Sequence, residues 1–220
     1  MPKTADRAIE RAIAIPPYAL NGDLTIPEKA AGLVIFAHGS GSSRHSSRNR
    51  FVARELNAGG LATLLMDLLT EEEERVDLHT RHLRFDIPLL AERLVRAAEW
   101  ANSEHELTNL KIGYFGASTG GGAALVAAAD RPQSIGAVVS RGGRPDLAGA
   151  ALPRVTAPTL LIVGGEDHSV IQMNEEAMRG LRCEKRIEII PGATHLFEEP
   201  GTLERVSELA RAWFQRCLAP

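Results

Sequence analysis

Six short apolar runs dominate this sequence, and segments with helical spacing separate most of them. The runs lie at 32–39 (GLVIFAHG), 61–69, 111–118, 135–143, 158–167 and 185–193. They show little polar alternation, which is typical of strands that are buried on both faces. Strands that alternate with helices predict an α/β fold, with an open, mostly parallel sheet and helices on both faces.

The segments between the runs carry apolar residues three and four positions apart, as in LLAERLVRAAEW, and predict helices. The predicted helices are 49–58, 88–102, 119–129, 171–181 and 203–218. The opening AIAIPPYALNGDLTIP instead predicts an N-terminal antiparallel hairpin at a sheet edge, which turns at Asn21-Gly22-Asp23. The acidic run at 71–77, EEEERVD, is interpreted as a solvated loop.

Ser118 lies in Gly116-Ala117-Ser118-Thr119-Gly120, after a predicted strand and before a predicted helix. This context matches the G-x-S-x-G turn that lifts a nucleophilic serine above a sheet. Gly121 and Gly122 each cost a helix about 0.5–1 kcal/mol relative to alanine, so their presence indicates a geometric requirement. Taken alone, the five-residue pattern also leaves open a tight turn with an idle serine.

A serine hydroxyl needs a neighbouring base, and that base needs a third group to orient it. His195, in PGATHLF, follows the last predicted strand, and Asp167, in GGEDHSV, follows the strand before it. The carboxyl ends of parallel strands meet at one edge of a sheet, where both residues would join Ser118. The chain order Ser, Asp, His is also typical of hydrolase sheets with this serine turn. We therefore predict a triad of Ser118, Asp167 and His195.

Other residues near the same edge are alternatives. Asp146, in RGGRPDLAG, follows the preceding strand and is the main alternative acid, and Glu166 is a weaker one. Asp167 could also serve only as the N-cap of the next helix. His168, beside the predicted acid, is expected to flank the site rather than to act in it.

Attack on a carbonyl group also requires donors for the negative charge that develops on its oxygen. The backbone N–H of Thr119 is one predicted donor, because it lies at the positive end of the helix that follows Ser118. The second is predicted at Ser40, in AHGSGSS, with Gly41 as the alternative and as a candidate for substrate binding. These small residues leave the backbone donors of the loop unobstructed.

Basic side chains at or after the ends of other strands are candidates for substrate binding. His79 and His82, in DLHTRHLRFDIP, are predicted at the rim of the pocket, and their spacing does not match a metalloprotease motif, so no metal is expected. Arg141, in SRGGRPD, could face a substrate carboxylate; pairing of Arg141 and Arg144 with Asp146 is the alternative. The chain has neither a P-loop nor a G-x-G-x-x-G motif, so we expect no cofactor.

Composition restricts the partners. A net charge of −3 without a basic cluster argues against nucleic acid. The two cysteines, Cys183 and Cys217, favour a reducing compartment. Charged residues such as Asp6 and Arg7 interrupt the apolar residues near the N-terminus, and no later run approaches the ~18 residues of a membrane span. We expect a cytoplasmic protein that acts on a small molecule and does not bind membranes.

The segments HGSGSS, GASTGGGAA, GGEDHSV and PGATHLF resemble those of the α/β-hydrolases, and among them the small dienelactone hydrolase-like proteins. The resemblance extends from the Asn21-Gly22 segment through His195. With the length of 220 residues, it implies one α/β-hydrolase domain over 1–220, and the connection at 140–157 is too short for a large cap domain. Dienelactone hydrolases carry a cysteine nucleophile, whereas this chain has Ser118, which favours general ester chemistry.

These observations predict a serine hydrolase that cleaves small carboxylic esters through an acyl-enzyme intermediate. Lactone or thioester hydrolysis of the dienelactone hydrolase type is an alternative. A non-catalytic interaction module that keeps the same fold is a third possibility, because a fold by itself does not determine a function.

Overall fold

The computed structural model describes residues 8–219, so Asp6 and Arg7 of the N-terminal argument lie outside the described residues. The strands are β1 (Ile9–Ile15), β2 (Leu20–Ile26), β3 (Leu33–Ala37), β4 (Ala62–Met66), β5 (Ile112–Ala117), β6 (Ile135–Arg141), β7 (Thr159–Gly164) and β8 (Lys185–Ile190). The helices are α1 (Ser47–Ala58), α2 (Glu71–Thr80), α3 (Ile87–Ser103), α4 (Thr119–Asp130), α5 (His168–Gly180) and α6 (Thr202–Leu218).

The eight strands form one sheet in the order β1-β2-β4-β3-β5-β6-β7-β8. The six strands from β3 to β8 run parallel, and β1 and β2 form an antiparallel hairpin at one edge. The prediction of a mostly parallel α/β sheet with an N-terminal hairpin is confirmed. Parallel pairing brings the carboxyl ends of β3, β5, β7 and β8 to one edge, where the loops that follow them meet.

The sheet separates two buried apolar clusters, because successive side chains of a strand point to opposite faces. In β3, Leu33 and Ile35 belong to the cluster that packs against α3, α4 and α5. Val34 and Phe36 belong to the cluster that packs against α1 and α6. Helices therefore cover both faces, which explains why the central strands lack polar alternation.

The hairpin turn lies at 16–19, so the prediction of a turn at Asn21-Gly22-Asp23 is wrong. Pro16 and Pro17 suit a turn because neither has a backbone N–H to donate to a strand ladder. Gly22 instead lies inside β2 and allows close packing, since a Cβ there would lie 3.0 Å from the Leu64 side chain.

The acidic run at 71–77 forms most of α2, so its interpretation as a loop is also wrong. The Thr70 hydroxyl accepts a hydrogen bond from the Glu73 N–H (3.2 Å), and the Glu73 carboxylate accepts one from the Thr70 N–H (2.8 Å). This reciprocal pair, together with the acidic first turn, stabilises the start of the helix. In the last turn of the helix, Asp77 is buried and His79 is exposed.

Between β6 and β7 the chain forms only short helical turns over Pro145–Arg154, which pack against α4 and α5. The prediction that no large cap domain covers the sheet edge is confirmed. Within residues 8–219, no helix combines the length and the apolar character needed to cross a membrane.

Candidate active site

Ser118 occupies the sharp turn between β5 and α4. Its φ of 50° and ψ of −122° are rarely adopted by a residue with a side chain. Glycine is required on both sides: a Cβ at Gly116 would lie 2.5 Å from the Gly120 carbonyl oxygen, and a Cβ at Gly120 would collide with the Ala37 carbonyl oxygen. The two glycines of the motif thus let β5, α4 and the end of β3 approach closely enough to hold this strained turn.

His195 and Asp167 reach Ser118 from the loops after β8 and β7. The Nδ1 atom of His195 lies 2.6 Å from Oδ2 of Asp167, and its Nε2 atom lies 3.4 Å from Oγ of Ser118. The His195 side chain is 40% exposed, whereas that of Asp167 is 13% exposed. The imidazole therefore faces both the serine and solvent, with its other nitrogen held by a largely buried carboxylate.

The alternative acids are placed elsewhere. Asp146 forms a two-point ion pair with Arg144, with nitrogen–oxygen distances of 2.8 and 2.7 Å. Glu166 and His168 are exposed. Asp167 does precede α5 at the N-cap position, but its side chain makes no capping hydrogen bond and bonds to His195 instead.

The predicted oxyanion donors lie on two sides of Ser118. Thr119 is the first residue of α4, so its N–H is one of those that an α-helix leaves without an internal partner. The loop 38–42 passes directly beside the serine, since a Cβ at Gly39 would lie 3.2 Å from Cβ of Ser118. Ser40 and Ser118 line the same pocket, whereas Gly41 lies over Arg84, outside it.

A network of polar contacts behind the loop 38–42 was not predicted from the sequence. Nε2 of His38 accepts a hydrogen bond from the Leu68 N–H (3.2 Å), and Nδ1 donates to the Gly39 carbonyl oxygen (3.0 Å). Because Nε2 accepts and Nδ1 donates, we assign His38 as a neutral imidazole with its proton on Nδ1. Desolvation lowers the pKa of His38. This effect is larger than the opposing effects of the Gly39 hydrogen bond and of nearby acids.

Two acid–arginine pairs complete this network. Asp67, after β4, accepts hydrogen bonds from the backbone and the guanidinium of Arg44. Asp77 of α2 is buried and accepts from the backbone and Nε of Arg84. Hydrogen bonds from Arg84 lower the pKa of Asp77 even though desolvation opposes them. The only sequence signal for this arrangement was the capping box of α2, because the pairs join residues from separate segments.

The pocket at Ser118 has a volume of about 240 Å³ and is lined mainly by polar residues. These are Gly39, Ser40, Ser42, Ser46, Arg48, Asn49, Ala117, Ser118, Arg141, His195 and Leu196. Arg141, a predicted substrate-binding residue, is among them. His79 and His82 are not: both are exposed, and their rings bond to the Arg75 carbonyl oxygen and the Thr80 hydroxyl. Across residues 8–219, no three His, Cys, Asp or Glu side chains are grouped to hold a metal ion.

Comparison with known proteins places this arrangement in a family. A model of the dienelactone hydrolase family matches residues 20–218. Two curated relatives, from two strains of Mycobacterium tuberculosis, are 58% identical over 198 residues and are provisionally named phosphoribosyl transferases. The match covers 90% of this chain but 44% of each relative, so the chain spans less than half the length of the curated relatives it matches.

Solved structures are similar over nearly the whole chain. A dienelactone hydrolase from Anabaena variabilis is 60% identical, with a TM-score of 0.93 over 97% of this chain and 99% of that one. Est1E from Butyrivibrio proteoclasticus, solved with ferulic acid, is 19% identical, with a TM-score of 0.78 over 94% of this chain and 98% of its own. The second likeness is one of fold alone.

Proposed function

The chain belongs to the dienelactone hydrolase family, and from that premise we propose that it is a serine hydrolase that cleaves small carboxylic esters. Its proposed catalytic residues are Ser118, His195 and Asp167, and it acts as a single α/β-hydrolase domain without a metal or cofactor. One observation carries the proposal: a strained serine lies 3.4 Å from an imidazole whose other nitrogen is 2.6 Å from a carboxylate.

In the first half of the reaction, Oγ of Ser118 attacks the ester carbonyl carbon while Nε2 of His195 takes the hydroxyl proton. Asp167 holds the imidazole in the tautomer that leaves Nε2 free to accept, and it stabilises the imidazolium that forms. The tetrahedral intermediate then collapses, the ester C–O bond breaks, and His195 returns the proton to the leaving alcohol. The acyl group remains on Ser118.

In the second half, His195 takes a proton from water, whose oxygen attacks the acyl-enzyme carbonyl carbon. Breakdown of the second tetrahedral intermediate returns the proton to Oγ of Ser118 and releases the carboxylic acid. In both halves the N–H groups of Thr119 and Ser40 donate to the oxyanion. Donors that are fixed before the reaction are effective, because little reorganisation is needed as the charge develops.

A fluorophosphonate probe tests the proposal, because it labels only a serine activated as a nucleophile. The wild-type protein should be labelled at Ser118 and should release acid from short p-nitrophenyl esters, whereas Ser118→Ala should do neither. A folded wild-type protein that resists labelling would support the non-catalytic interaction module instead. Matched lactone and thioester substrates then separate the ester preference from lactone or thioester hydrolysis of the family type.

The name of the curated relatives does not change this proposal. The name applies to whole proteins, and this chain matches only 44% of each. In this chain, residues 20–218 match the dienelactone hydrolase model. The site described above supplies a nucleophile, a base and oxyanion donors, which are the parts required for acyl transfer.

A further inference from the structure

Arg141 is a buried charge at the catalytic pocket. It ends β6, and its carbonyl oxygen accepts a hydrogen bond from the Ser118 N–H (3.2 Å), so the residue is fixed beside the serine turn. Its side chain lines the pocket that contains Ser118 and His195, although the residue is only 7% exposed. Within residues 8–219, Nε and Nη1 of Arg141 have no hydrogen-bond partner, and Nη2 has only the Asn49 amide oxygen at 3.5 Å.

No carboxylate of the described chain neutralises this guanidinium. The nearby charge is of the same sign: desolvation and, to a smaller extent, Arg48 lower the pKa of Arg141 to about 10. The group still carries its proton at neutral pH. The guanidinium carbon lies 5.8 Å from the centre of the Phe197 ring, a cation–π contact that neutralises no charge. A buried charge without an acidic partner is unfavourable, so an anion in the pocket would find a site that is already positive and largely desolvated.

The N-terminus of α1 lies at the same pocket. Ser46 is the N-cap of this 12-residue helix, and Ser46, Arg48 and Asn49 line the pocket together with Arg141. Oγ of Ser46 accepts a hydrogen bond from the Asn49 N–H, which leaves its own proton available for donation. Helix N-termini favour anions because unpaired N–H groups and the helix dipole point towards them.

We propose that this pocket binds a phosphate group carried by the alcohol part of the ester substrate. The inference rests on the proposed hydrolase function for the position of the ester, because the leaving alcohol must lie against His195 to receive its proton. Arg141 supplies the buried cation, and the start of α1 supplies further donors. The substrate class is therefore a small carboxylic ester of a phosphorylated alcohol.

The donor set favours phosphate over carboxylate. A phosphate monoester carries a charge of about −1.5 to −2 near neutral pH and three acceptor oxygens. Arg141, Ser46 and Arg48 all line the pocket and carry donor groups, and three oxygens can use such a set of donors better than two. Arg48 adds a second positive charge, although Glu198 partly neutralises it at 3.0 Å.

A binding measurement tests the site without relying on turnover. Ser118→Ala protein is titrated with ethyl phosphate and with propionate by calorimetry. We expect saturable binding of ethyl phosphate, tighter than that of propionate, and a loss of about 10- to 100-fold when Arg141→Met is added, as for removal of a charged hydrogen-bond donor. Arg50→Gln is the control, because Arg50 is an exposed arginine of α1 that does not line the pocket. Absence of saturable binding, equal binding after Arg141→Met, or tighter binding of propionate would overturn the proposal.

Turnover gives the second measurement. The kcat/KM for 2-acetoxyethyl phosphate should exceed that for neutral 2-methoxyethyl acetate, and the ratio of the two should fall about 10-fold or more in Arg141→Met. Arg50→Gln should keep the wild-type ratio. If no ester is hydrolysed, the proposed function fails while the titration still decides the phosphate site. A ratio near one in the wild-type protein would overturn the substrate class.

Stability distinguishes a binding role from a structural one. Replacement of a buried, uncompensated charge by an apolar side chain of similar size is often neutral or stabilising. Arg141→Met should therefore unfold at the same or a higher temperature than the wild-type protein while it loses phosphate affinity. A clear drop in its unfolding temperature, with unchanged phosphate binding, would assign Arg141 to the architecture of the fold.

Discussion

The two sides of Ser118 are organised differently. On one side, His195 and Asp167 follow neighbouring strands; His195 contacts the serine, and Asp167 contacts His195. On the other, His38 fixes the loop 38–42 to Leu68, and acid–arginine pairs from several segments line the cavity behind that loop. The first side carries the proposed chemistry in a few short motifs, whereas the second positions backbone donors through long-range contacts. Substitutions should therefore affect rate on the first side and stability on the second.

The largest effect is expected for the serine and its base. Ser118→Ala and His195→Ala should each lower ester kcat by about 10⁴- to 10⁶-fold, because the members of a triad act as a unit. Both variants should unfold at nearly the wild-type temperature. Substantial turnover by purified, folded Ser118→Ala would refute the mechanism. A large loss of stability in either variant would show that substitutions on this side do not act on rate alone.

The acid provides a matched comparison. Asp167→Asn should lower kcat by about 10⁴-fold, since an amide at this position favours the wrong imidazole tautomer. Asp146→Asn should change the rate little, because Asp146 pairs with Arg144 and not with His195. The test is kcat for both variants on one ester; the reverse ranking would transfer the role of acid to Asp146.

The difference between the two sides also explains what could be predicted from the sequence. The serine turn and the parallel strands have local patterns, and the chain order of Ser118, Asp167 and His195 follows from the sheet. The hairpin turn was misplaced because Asn21-Gly22-Asp23 resembles a turn, although Gly22 serves close packing inside β2. The interpretation of residues 71–77 as a loop relied on their charge and overlooked the capping box at the start of α2.

The contacts behind the loop 38–42 could not be predicted in this way. No short motif predicts that Asp77 pairs with Arg84. The burial of Asp77 depends on how α2 packs against the rest of the fold. The same reasoning applies to Arg141. Its position at the end of a strand was evident from the sequence, but its lack of an acidic partner follows from the pairing of Asp146 with Arg144.

On the second side, Arg84→Met should reduce the free energy of unfolding by about 3 kcal/mol, because it leaves the Asp77 carboxylate buried without its partner. The double variant Asp77→Asn, Arg84→Met should recover part of that loss, since the buried charge is gone. Urea unfolding at neutral pH measures both. Wild-type stability in Arg84→Met would show that the pair does not hold the region together.

His38 should make stability depend on pH. Burial lowers its pKa in the folded protein below 6.5, so the neutral imidazole favours folding above that pH, and this contribution fades as the pH falls through the folded-state pKa. The free energy of unfolding should therefore drop more between about pH 7.5 and about pH 5 in the wild-type protein than in His38→Gln. His79→Gln, at an exposed position, is the control. Parallel pH curves for wild type and His38→Gln would contradict a buried, neutral His38.

The smallest effect is expected for the dependence of kcat/KM on acyl length, which tests how much apolar surface the substrate meets between the two sides of Ser118. The pocket at Ser118 is lined mainly by polar groups. The cavity behind the loop 38–42, where leucines and charged residues share the lining, is only about 40 Å³. The short turns at Pro145–Arg154 form no cap to close over a chain. Each methylene left in water forgoes about 0.8 kcal/mol of binding, so transition-state binding should stop improving early in an acyl series. The measurement is kcat/KM for p-nitrophenyl esters of increasing acyl length, with and without emulsified lipid. A steady rise to long chains, or a jump in rate above the solubility limit, would show that an apolar surface joins the two sides over the substrate.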